Sequence, residues 1–186
     1  MTTGIVLAGG QSRRFGSPKA FADYEGWLFW ERAHEALLEG GCSEVIVSAR
    51  PEHVERFGGA DVITDLSEIA GTGPLAGIFS AMKLRPADGF AVIPCDMPGI
   101  GPMEVRKLIT LADPDADVTA VRTKDHPIPL FSVWSGVLSG RIGEALARGE
   151  RGVMPFLDSL ETEWIDAREL NPDLSVFRNV NTPNEQ

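Results

Sequence analysis

Short, continuously apolar runs alternate with amphipathic segments along this chain, and this alternation limits the possible folds more than any other feature. A strand that is buried on one face alternates polar and apolar residues, whereas these runs contain few polar positions. They therefore predict strands covered by helices on both faces. The predicted fold is α/β, with a Rossmann-like, doubly wound, mostly parallel sheet in a single domain. The predicted strands are TGIVLA, EVIVSA, DVIT, GFAVIPC, DVTAVRT, IPLFSVW and TEWID.

The segments between these strands carry helix signals. WLFWERAHEALLEGG has apolar residues at helical spacing and ends at a pair of glycines, which predicts a helix with Trp27 and Trp30 in the core. Another helix is expected from Pro74, because proline is tolerated at the first helical position. Ligands of doubly wound sheets bind at the carboxyl ends of the strands. Further helices are predicted for PEHVERF, for Pro102 to Leu111 and for SGRIGEALARG.

Composition narrows the class of protein and its partners. The 186 residues are 43% hydrophobic and 24% charged, which is ordinary for one globular domain, here taken as residues 1–186. The net charge of −10 argues against nucleic acid as a partner, because a phosphate backbone requires a broad basic face. No apolar run is long enough to span a membrane, and no signal peptide is evident, so we expect a cytoplasmic location. Cys42 and Cys95 are expected to be free thiols.

The loop after the first predicted strand, LAGGQSRRFGSPK, combines glycines with basic side chains. A backbone without side chains approaches phosphate oxygens closely and offers several N–H donors, to which Arg13, Arg14 and Lys19 add positive charge. Five residues separate Gly10 from Gly16, so neither the P-loop nor the dinucleotide-binding pattern is present. The alternative for a glycine pair is an ordinary tight turn with solvated arginines.

Two aspartates follow predicted strands. Asp96, in VIPCDMP, is a natural Mg²⁺ ligand, because Mg²⁺ prefers one or two carboxylates together with phosphate oxygens and water. The alternative is an aspartate that caps a helix or a turn. Asp65, in VITD, follows another predicted strand and is a candidate to contact a ligand, and from the sequence alone a solvated loop residue is a nearly equal alternative. Gly73 lets the backbone pass close to a ligand.

The spacing L-A-G-G-x-S-x-R-hydrophobic-G-x-x-K resembles the nucleotidyltransferases that activate a phosphorylated metabolite with a nucleoside triphosphate. Within that class the chain most resembles the molybdenum cofactor guanylyltransferases, over nearly its full length. The fold that this resemblance implies is like that of the nucleotide-diphospho-sugar transferases. The other motifs that carry it, in order, are GPLAG (73–77), PCDMP (94–98), DHP (125–127), GERGVMPFL (149–157) and NVNTP (179–183).

The resemblance assigns roles to particular positions. It implies catalytic roles for Arg14, Lys19 and Asp96, with Mg²⁺ held by Asp96. It places His126, Asn179 and Asn181 on the acceptor side. The implied partners are GTP and molybdopterin or Mo-molybdopterin, with cofactor-insertion chaperones or molybdoenzymes as further candidates, and neither nucleic acid nor membrane. The implied nucleotide-binding residues are Leu7, Ala8, Gly9, Gly10, Ser12, Lys19, Ser48, Asp65, Gly73 and Asp96.

The implied reaction transfers GMP from GTP to the phosphate of molybdopterin and releases pyrophosphate. Several positions depart from the family pattern: Pro18 replaces the usual Asp, and Ser48 stands where an Asn is common. These departures leave the fold and the reaction type unchanged, and they bear on which nucleotide base and which acceptor the enzyme uses. The alternatives are therefore a molybdopterin cytidylyltransferase or a sugar-phosphate nucleotidyltransferase, and, in another class, a non-catalytic GTP-binding protein that delivers the cofactor.

Overall fold

The structure is a computed structural model in which residues 1–10 and 16–181 are described. The strands are β1 (Thr2–Leu7), β2 (Asp23–Tyr24), β3 (Trp27–Leu28), β4 (Glu44–Ser48), β5 (Asp61–Ile63), β6 (Gly89–Pro94), β7 (Val118–Arg122), β8 (Pro127–Ser135) and β9 (Thr162–Asp166). The α-helices are α1 (Phe29–Gly40), α2 (Pro74–Leu84), α3 (Pro102–Leu111), α4 (Ser139–Ala147), α5 (Val153–Asp158) and α6 (Ala167–Leu170). PEHVERF forms a 3₁₀ helix, Pro51–Phe57.

Within the described residues, seven strands form one sheet in the order β5-β4-β1-β6-β8-β7-β9. The pairs β5–β4, β4–β1, β1–β6 and β7–β9 are parallel, and β8 is antiparallel to both of its neighbours. The strand β8 reverses direction because a short turn joins it to β7, and so short a connection permits only antiparallel pairing. The predicted mostly parallel, doubly wound sheet is confirmed.

Helices cover both faces of the sheet. Neighbouring residues of β1 illustrate this arrangement: Ile5 and Val6 are both fully buried, and they belong to separate core clusters on opposite faces. Leu37 of α1 packs in the cluster with Val6, and Ile78 of α2 packs in the cluster with Ile5. Burial on both faces explains why the strands are continuously apolar in the sequence.

Helix α1 begins two residues later than the sequence pattern predicts. The strands β2 and β3 pair as a small hairpin, with Glu25 and Gly26 at positive φ in the turn between them. Trp27 therefore lies in a strand with 49% of its surface exposed, and its predicted position in the core is wrong. Trp30 is half-buried, with its ring 5.2 Å from the ring of Phe57 between centroids. In the described part of the chain, no helix is both long and apolar enough to cross a membrane.

Gly40 lies at the packed junction of α1 and α3, and its replacement by alanine should destabilise the fold. An added Cβ would lie 2.6 Å from the Cβ of Val105, and rotation of the valine side chain cannot relieve that overlap. We expect Gly40→Ala to lower the free energy of unfolding by about 1–3 kcal/mol, measured by urea denaturation.

Gly140, an exposed glycine near the start of α4, provides the matched control, because an added Cβ there meets no atom within 4 Å. Gly140→Ala should leave stability unchanged or raise it by up to about 1 kcal/mol. Equal stability for the Gly40→Ala variant and the wild type would contradict the close packing of α1 against α3.

Candidate active site

A cavity of about 830 Å³ lies where β5, β4, β1 and β6 end at their carboxyl termini. This is the edge at which ligands of doubly wound sheets bind. The lining residues come from segments that are far apart in the sequence. They are Leu7, Ala8, Gly9, Gly10, Lys19, Ala20, Ser48, Ala49, Arg50, Pro51, Glu52, Asp65, Ala70, Gly71, Gly73, Pro74, Gly77, Pro94, Cys95, Asp96, Leu130 and Asn181.

The floor of the cavity is made by the backbone that continues β1. The amide of Ala8 donates a hydrogen bond to the Ser48 carbonyl at 2.8 Å, and the amide of Cys95 donates one to the Leu7 carbonyl at 3.1 Å. These bonds extend the parallel ladders on both sides of β1 to its last residue. Gly9 and Gly10 follow, both exposed, and no atom lies within 4 Å of a Cβ built on either one. The backbone there is open to a ligand.

One wall contains Asp65, which follows β5. Its carboxylate accepts a hydrogen bond from the amide of Gly71 at 3.0 Å. Gly71 has φ +71° and Gly73 has φ +114°, backbone conformations that favour glycine. Burial raises the pKa of the Asp65 carboxyl above its ordinary value, and the hydrogen bond from Gly71 acts in the opposite direction. The eleven-residue helix α2 starts beside this wall, with Gly73 and Pro74 lining the cavity.

At the opposite wall, Lys19 bridges two oxygens that come from distant parts of the chain. Its Nζ lies 3.2 Å from Oδ2 of Asp96 and 2.9 Å from Oδ1 of Asn181. The Lys19 side chain is 14% exposed and that of Asp96 26%, so water screens this ion pair less than a surface pair. The three side chains form a compact polar cluster, hereafter the lysine cluster.

Backbone contacts between the turn after β6 and the C-terminal segment bring Asn181 to the lysine cluster. The amide of Val180 donates a hydrogen bond to the Asp96 carbonyl at 2.8 Å. In the same turn, a Cβ added to Gly99 would lie 2.7 Å from the carbonyl oxygen of Val176. The close approach of the two segments therefore requires glycine at position 99, and it places Asn181 beside Asp96.

The structure brings most of the predicted site residues to one cavity and leaves two outside its lining. Asn179 is exposed, and His126 is an exposed residue of the turn between β7 and β8. Ser12 and Arg14 lie outside the described residues, as do Arg13 and Phe15. The predicted residues that line the cavity are Leu7, Ala8, Gly9, Gly10, Lys19, Ser48, Asp65, Gly73, Asp96 and Asn181.

Sequence reasoning gave no role to Arg50 and Glu52, which also line the cavity. The Arg50 Nε lies 2.7 Å from the Glu52 Oε1 in an ion pair. Both residues follow β4, and the rule that ligands bind at strand carboxyl ends directs attention to this segment without assigning either residue a role. Like Ser48, they lie at the carboxyl end of β4, which is two strands away from β6 and Asp96.

Two oxygens of the lysine cluster, one from Asp96 and one from Asn181, suit a hard divalent cation that also binds phosphate. Among the residues that the structure describes, no group of three His, Cys, Asp or Glu side chains could hold a metal ion. The Asp96 carboxylate and the Asn181 amide oxygen already share one positive charge, the Lys19 ammonium. Mg²⁺ takes one or two carboxylates and completes its shell with phosphate oxygens and water, so this oxygen pair fits it when a nucleotide is bound.

A sequence model of the MobA-like NTP transferase domain matches residues 4–163. The chain belongs to the MobA-like NTP transferase family. The family resemblance and the predicted class of enzyme, a nucleotidyltransferase, are thereby confirmed. A relative from Geobacillus sp. (strain WCH70), named probable molybdenum cofactor guanylyltransferase, is 35% identical over 98% of this chain and 94% of its own length. A Bacillus subtilis (strain 168) protein of the same name is 31% identical over 96% and 89%.

Solved structures share the fold. Molybdopterin-guanine dinucleotide biosynthesis protein A from Archaeoglobus fulgidus superposes with a TM-score of 0.81 at 24% identity, covering 98% of this chain and 94% of that one. Rv0371c from Mycobacterium tuberculosis, in a complex with manganese, gives a TM-score of 0.69 at 19% identity over 89% and 87%. At these identities the likeness supports the architecture alone.

The two cysteines should be unreactive in the folded protein. Both are free and buried, and burial raises the pKa of the Cys42 thiol and of the Cys95 thiol to about 12 in each case. The negative charge of Asp96 adds to the effect at Cys95. Since the thiolate is the reactive form, we expect Ellman's reagent to modify neither thiol in mildly alkaline buffer and to modify both after unfolding.

Single-cysteine variants, Cys42→Ser and Cys95→Ser, identify the thiol that reacts. If Cys95 reacts in the folded protein as fast as free cysteine, then its thiol is open to solvent and the buried position described above is wrong.

Proposed function

We propose that this chain transfers GMP from GTP to the terminal phosphate of molybdopterin, forming the molybdopterin guanine dinucleotide cofactor and releasing pyrophosphate. The lysine cluster is the observation that carries the proposal, because it brings an ammonium, a carboxylate and an amide oxygen together at the edge of an open cavity. These are the groups that bind a metal-complexed triphosphate. The names of relatives that span nearly the whole chain support the choice of GTP and molybdopterin.

The distribution of charge along the sheet edge supports one orientation of the nucleotide. Asp65 follows β5 and Asp96 follows β6, three strands further along the sheet. Three strand spacings are about 14 Å, which is long enough for a nucleoside with its phosphates. The base lies at the Asp65 end, where a carboxylate accepts from the N1–H and N2–H₂ donors of guanine. The triphosphate lies over Gly9 and Gly10 and reaches Lys19.

The chemistry is an in-line displacement at the α-phosphorus of GTP. An oxygen of the acceptor phosphate forms the new bond to that phosphorus, and the bond from the α-phosphorus to the α,β-bridging oxygen breaks. The bonding electron pair leaves with pyrophosphate. A phosphate monoester is already an anion at neutral pH, so the reaction needs no strong general base. Positioning and charge neutralisation then account for most of the catalysis.

Each residue of the site has a defined task in this proposal. Lys19, with Arg14 and the loop amides, neutralises the charge that develops on the pyrophosphate. Asp96 would hold Mg²⁺ on the triphosphate, where the ion would supply further neutralisation of negative charge. The other proposed nucleotide contacts are Ser12, Ser48 and Gly73.

The acceptor is proposed to enter from the β6 side of the cavity, where Asn181 lies. The turn that contains His126 precedes β8, and β8 is antiparallel to β6, so this turn lies at the same edge of the sheet. Asn179 and His126 are therefore retained as acceptor-side candidates. We also propose that residues 1–186 act as one domain in the cytoplasm and pass the product to an insertion chaperone or a molybdoenzyme.

A pyrophosphate-release assay with each nucleoside triphosphate, with and without molybdopterin, tests the function. We expect release only with GTP and molybdopterin together, and the product should have the mass of the guanine dinucleotide. Release with CTP would identify a cytidylyltransferase, a possibility that Ser48 raises because it departs from the family pattern. Release with a sugar phosphate in place of molybdopterin would identify a sugar-phosphate enzyme. Binding of GTP without release would identify a carrier.

Asp96→Asn should reduce turnover by about 100- to 1,000-fold, because a neutral amide holds Mg²⁺ and the triphosphate poorly. The measurement is kcat for pyrophosphate release at saturating Mg²⁺. Asp88→Asn is the control, since this aspartate is 93% exposed and pairs only with the N-terminal ammonium among the described residues. Turnover of Asp96→Asn equal to that of the wild type would show that the metal assignment is wrong.

A further inference from the structure

Phe21 lies two residues after Lys19, in the same 3₁₀ helix, Lys19–Phe21. Lys19 and Ala20 line the cavity, whereas the partly buried Phe21 packs against the hydrophobic core. This helix has only three residues and few backbone hydrogen bonds: the Phe21 amide donates to the Pro18 carbonyl at 3.1 Å, and the Ala22 amide to the Lys19 carbonyl at 2.9 Å. Such a short helix is unstable alone, so side-chain packing must hold it in place.

The ring of Phe21 is held by the 3₁₀ helix Pro51–Phe57. Its centroid lies 4.8 Å from that of Phe57, which is fully buried, and 5.8 Å from that of His53 in an edge-on arrangement. The guanidinium carbon of Arg56 lies 3.8 Å from the same centroid. We name the contacts of Phe21 with His53, Arg56 and Phe57 the aromatic clamp.

Within residues 1–10 and 16–181, Arg56 has no other interaction that would explain its position. Its side chain is exposed, and among the described residues it forms no ion pair and no hydrogen bond. An exposed arginine that lies over a ring gains cation–π attraction while its charge stays in water. The helix that carries Arg56 begins with Pro51 and Glu52, which line the cavity. One element therefore contacts both the cavity and the aromatic clamp.

We propose that Phe21 is a positioning residue for Lys19 and that the aromatic clamp holds the Lys19 ammonium against Asp96 and Asn181. This inference rests on the proposed function in one respect, because that function gives the ammonium its task at the triphosphate. Lys19 and Phe21 belong to a single turn, so displacement of the ring displaces the ammonium. Phe21 and Arg56 then affect catalysis without contacting the nucleotide.

The first test is chemical labelling of lysines, which needs no catalytic activity. The folded protein is treated briefly with an acylating reagent, and labelling at each lysine is measured by mass spectrometry. Phe21→Ala should increase labelling of Lys19 by about tenfold, and Arg56→Met by about two- to fivefold, the size of an exposed cation–π contact. Phe21→Tyr keeps the ring and should label like the wild type.

Two controls separate positioning from general loosening of the fold. Lys107, whose Nζ donates to the Leu170 carbonyl at 2.8 Å, should be labelled equally in all variants. Lys83→Met removes another cation from a ring, that of Phe79, where Nζ and the ring centroid are 5.7 Å apart. That contact is far from the lysine cluster in the sequence and outside the cavity lining, so this variant should label Lys19 like the wild type.

The second test is a double-mutant cycle on kcat for pyrophosphate release. Phe21→Ala should lower kcat by about 10- to 100-fold with a smaller change in the KM for GTP, because the ammonium is displaced where charge develops. In a Lys19→Met background the same change should cost almost nothing further, since positioning acts through Lys19. If Phe21→Ala fails to fold, Arg56→Met and its combination with Lys19→Met are measured instead.

The outcomes distinguish the two proposals. Unchanged labelling of Lys19 in a folded Phe21→Ala or Arg56→Met variant overturns the positioning role, as does an equal loss of kcat in the Lys19→Met background. Selective labelling of Lys19 in a protein that releases no pyrophosphate upholds the clamp and overturns the proposed function.

Discussion

The ammonium of Lys19 is the charge on which the arrangement of the cleft depends. It donates to both the Asp96 carboxylate and the Asn181 amide oxygen at the edge of the cavity. A polar oxygen that loses water without gaining a donor costs about 1–3 kcal/mol. A cation from the loop after β1 therefore adds to the backbone contacts that hold the turn after β6 against the C-terminal segment.

The sheet determines where this charge can act. Its strands are buried on both faces, which leaves their carboxyl ends as the place where polar groups from several strands meet. From β5 to β6 the edge changes in character, from a half-buried carboxylate with a raised pKa to an open glycine backbone and then to the lysine cluster. A ligand with a hydrogen-bonding base at one end and phosphates at the other matches that order.

The strands and the main helices could be predicted because their signals are local. An apolar run such as GFAVIPC is buried on both faces wherever it lies in the sheet, and proline marks the starts of α2 and α3. The predicted start of α1 was wrong because Trp27 and Leu28 fit a helical pattern but pair in a hairpin instead. The turn of this hairpin, Glu25-Gly26, has both residues at positive φ. The helix α5 was missed because it is six residues long and contains Pro155.

Some residues of the cleft could be predicted from the sequence and others could not, and the difference has a physical reason. Strand-end residues such as Asp65 and Asp96 follow directly from the fold class, because every parallel strand delivers its last residue to the same edge. The contact between Lys19 and Asn181 spans 162 positions, and no local pattern encodes it. The resemblance named both Asn179 and Asn181, but only the three-dimensional structure separates an exposed asparagine from one that lines the cavity. The aromatic clamp has no sequence signature, since Phe21 and Arg56 are unremarkable residues until two short helices meet.

The hydrogen bond from the Val180 amide to the Asp96 carbonyl has a consequence for how the protein is made. The ribosome delivers the chain from its N-terminus, and β1, the glycine loop and β6 emerge long before residue 181. A nascent chain can pair these strands early, yet it lacks the last oxygen of the lysine cluster until residue 181 has emerged. The lysine cluster is therefore completed only after β1 and β6 have been made.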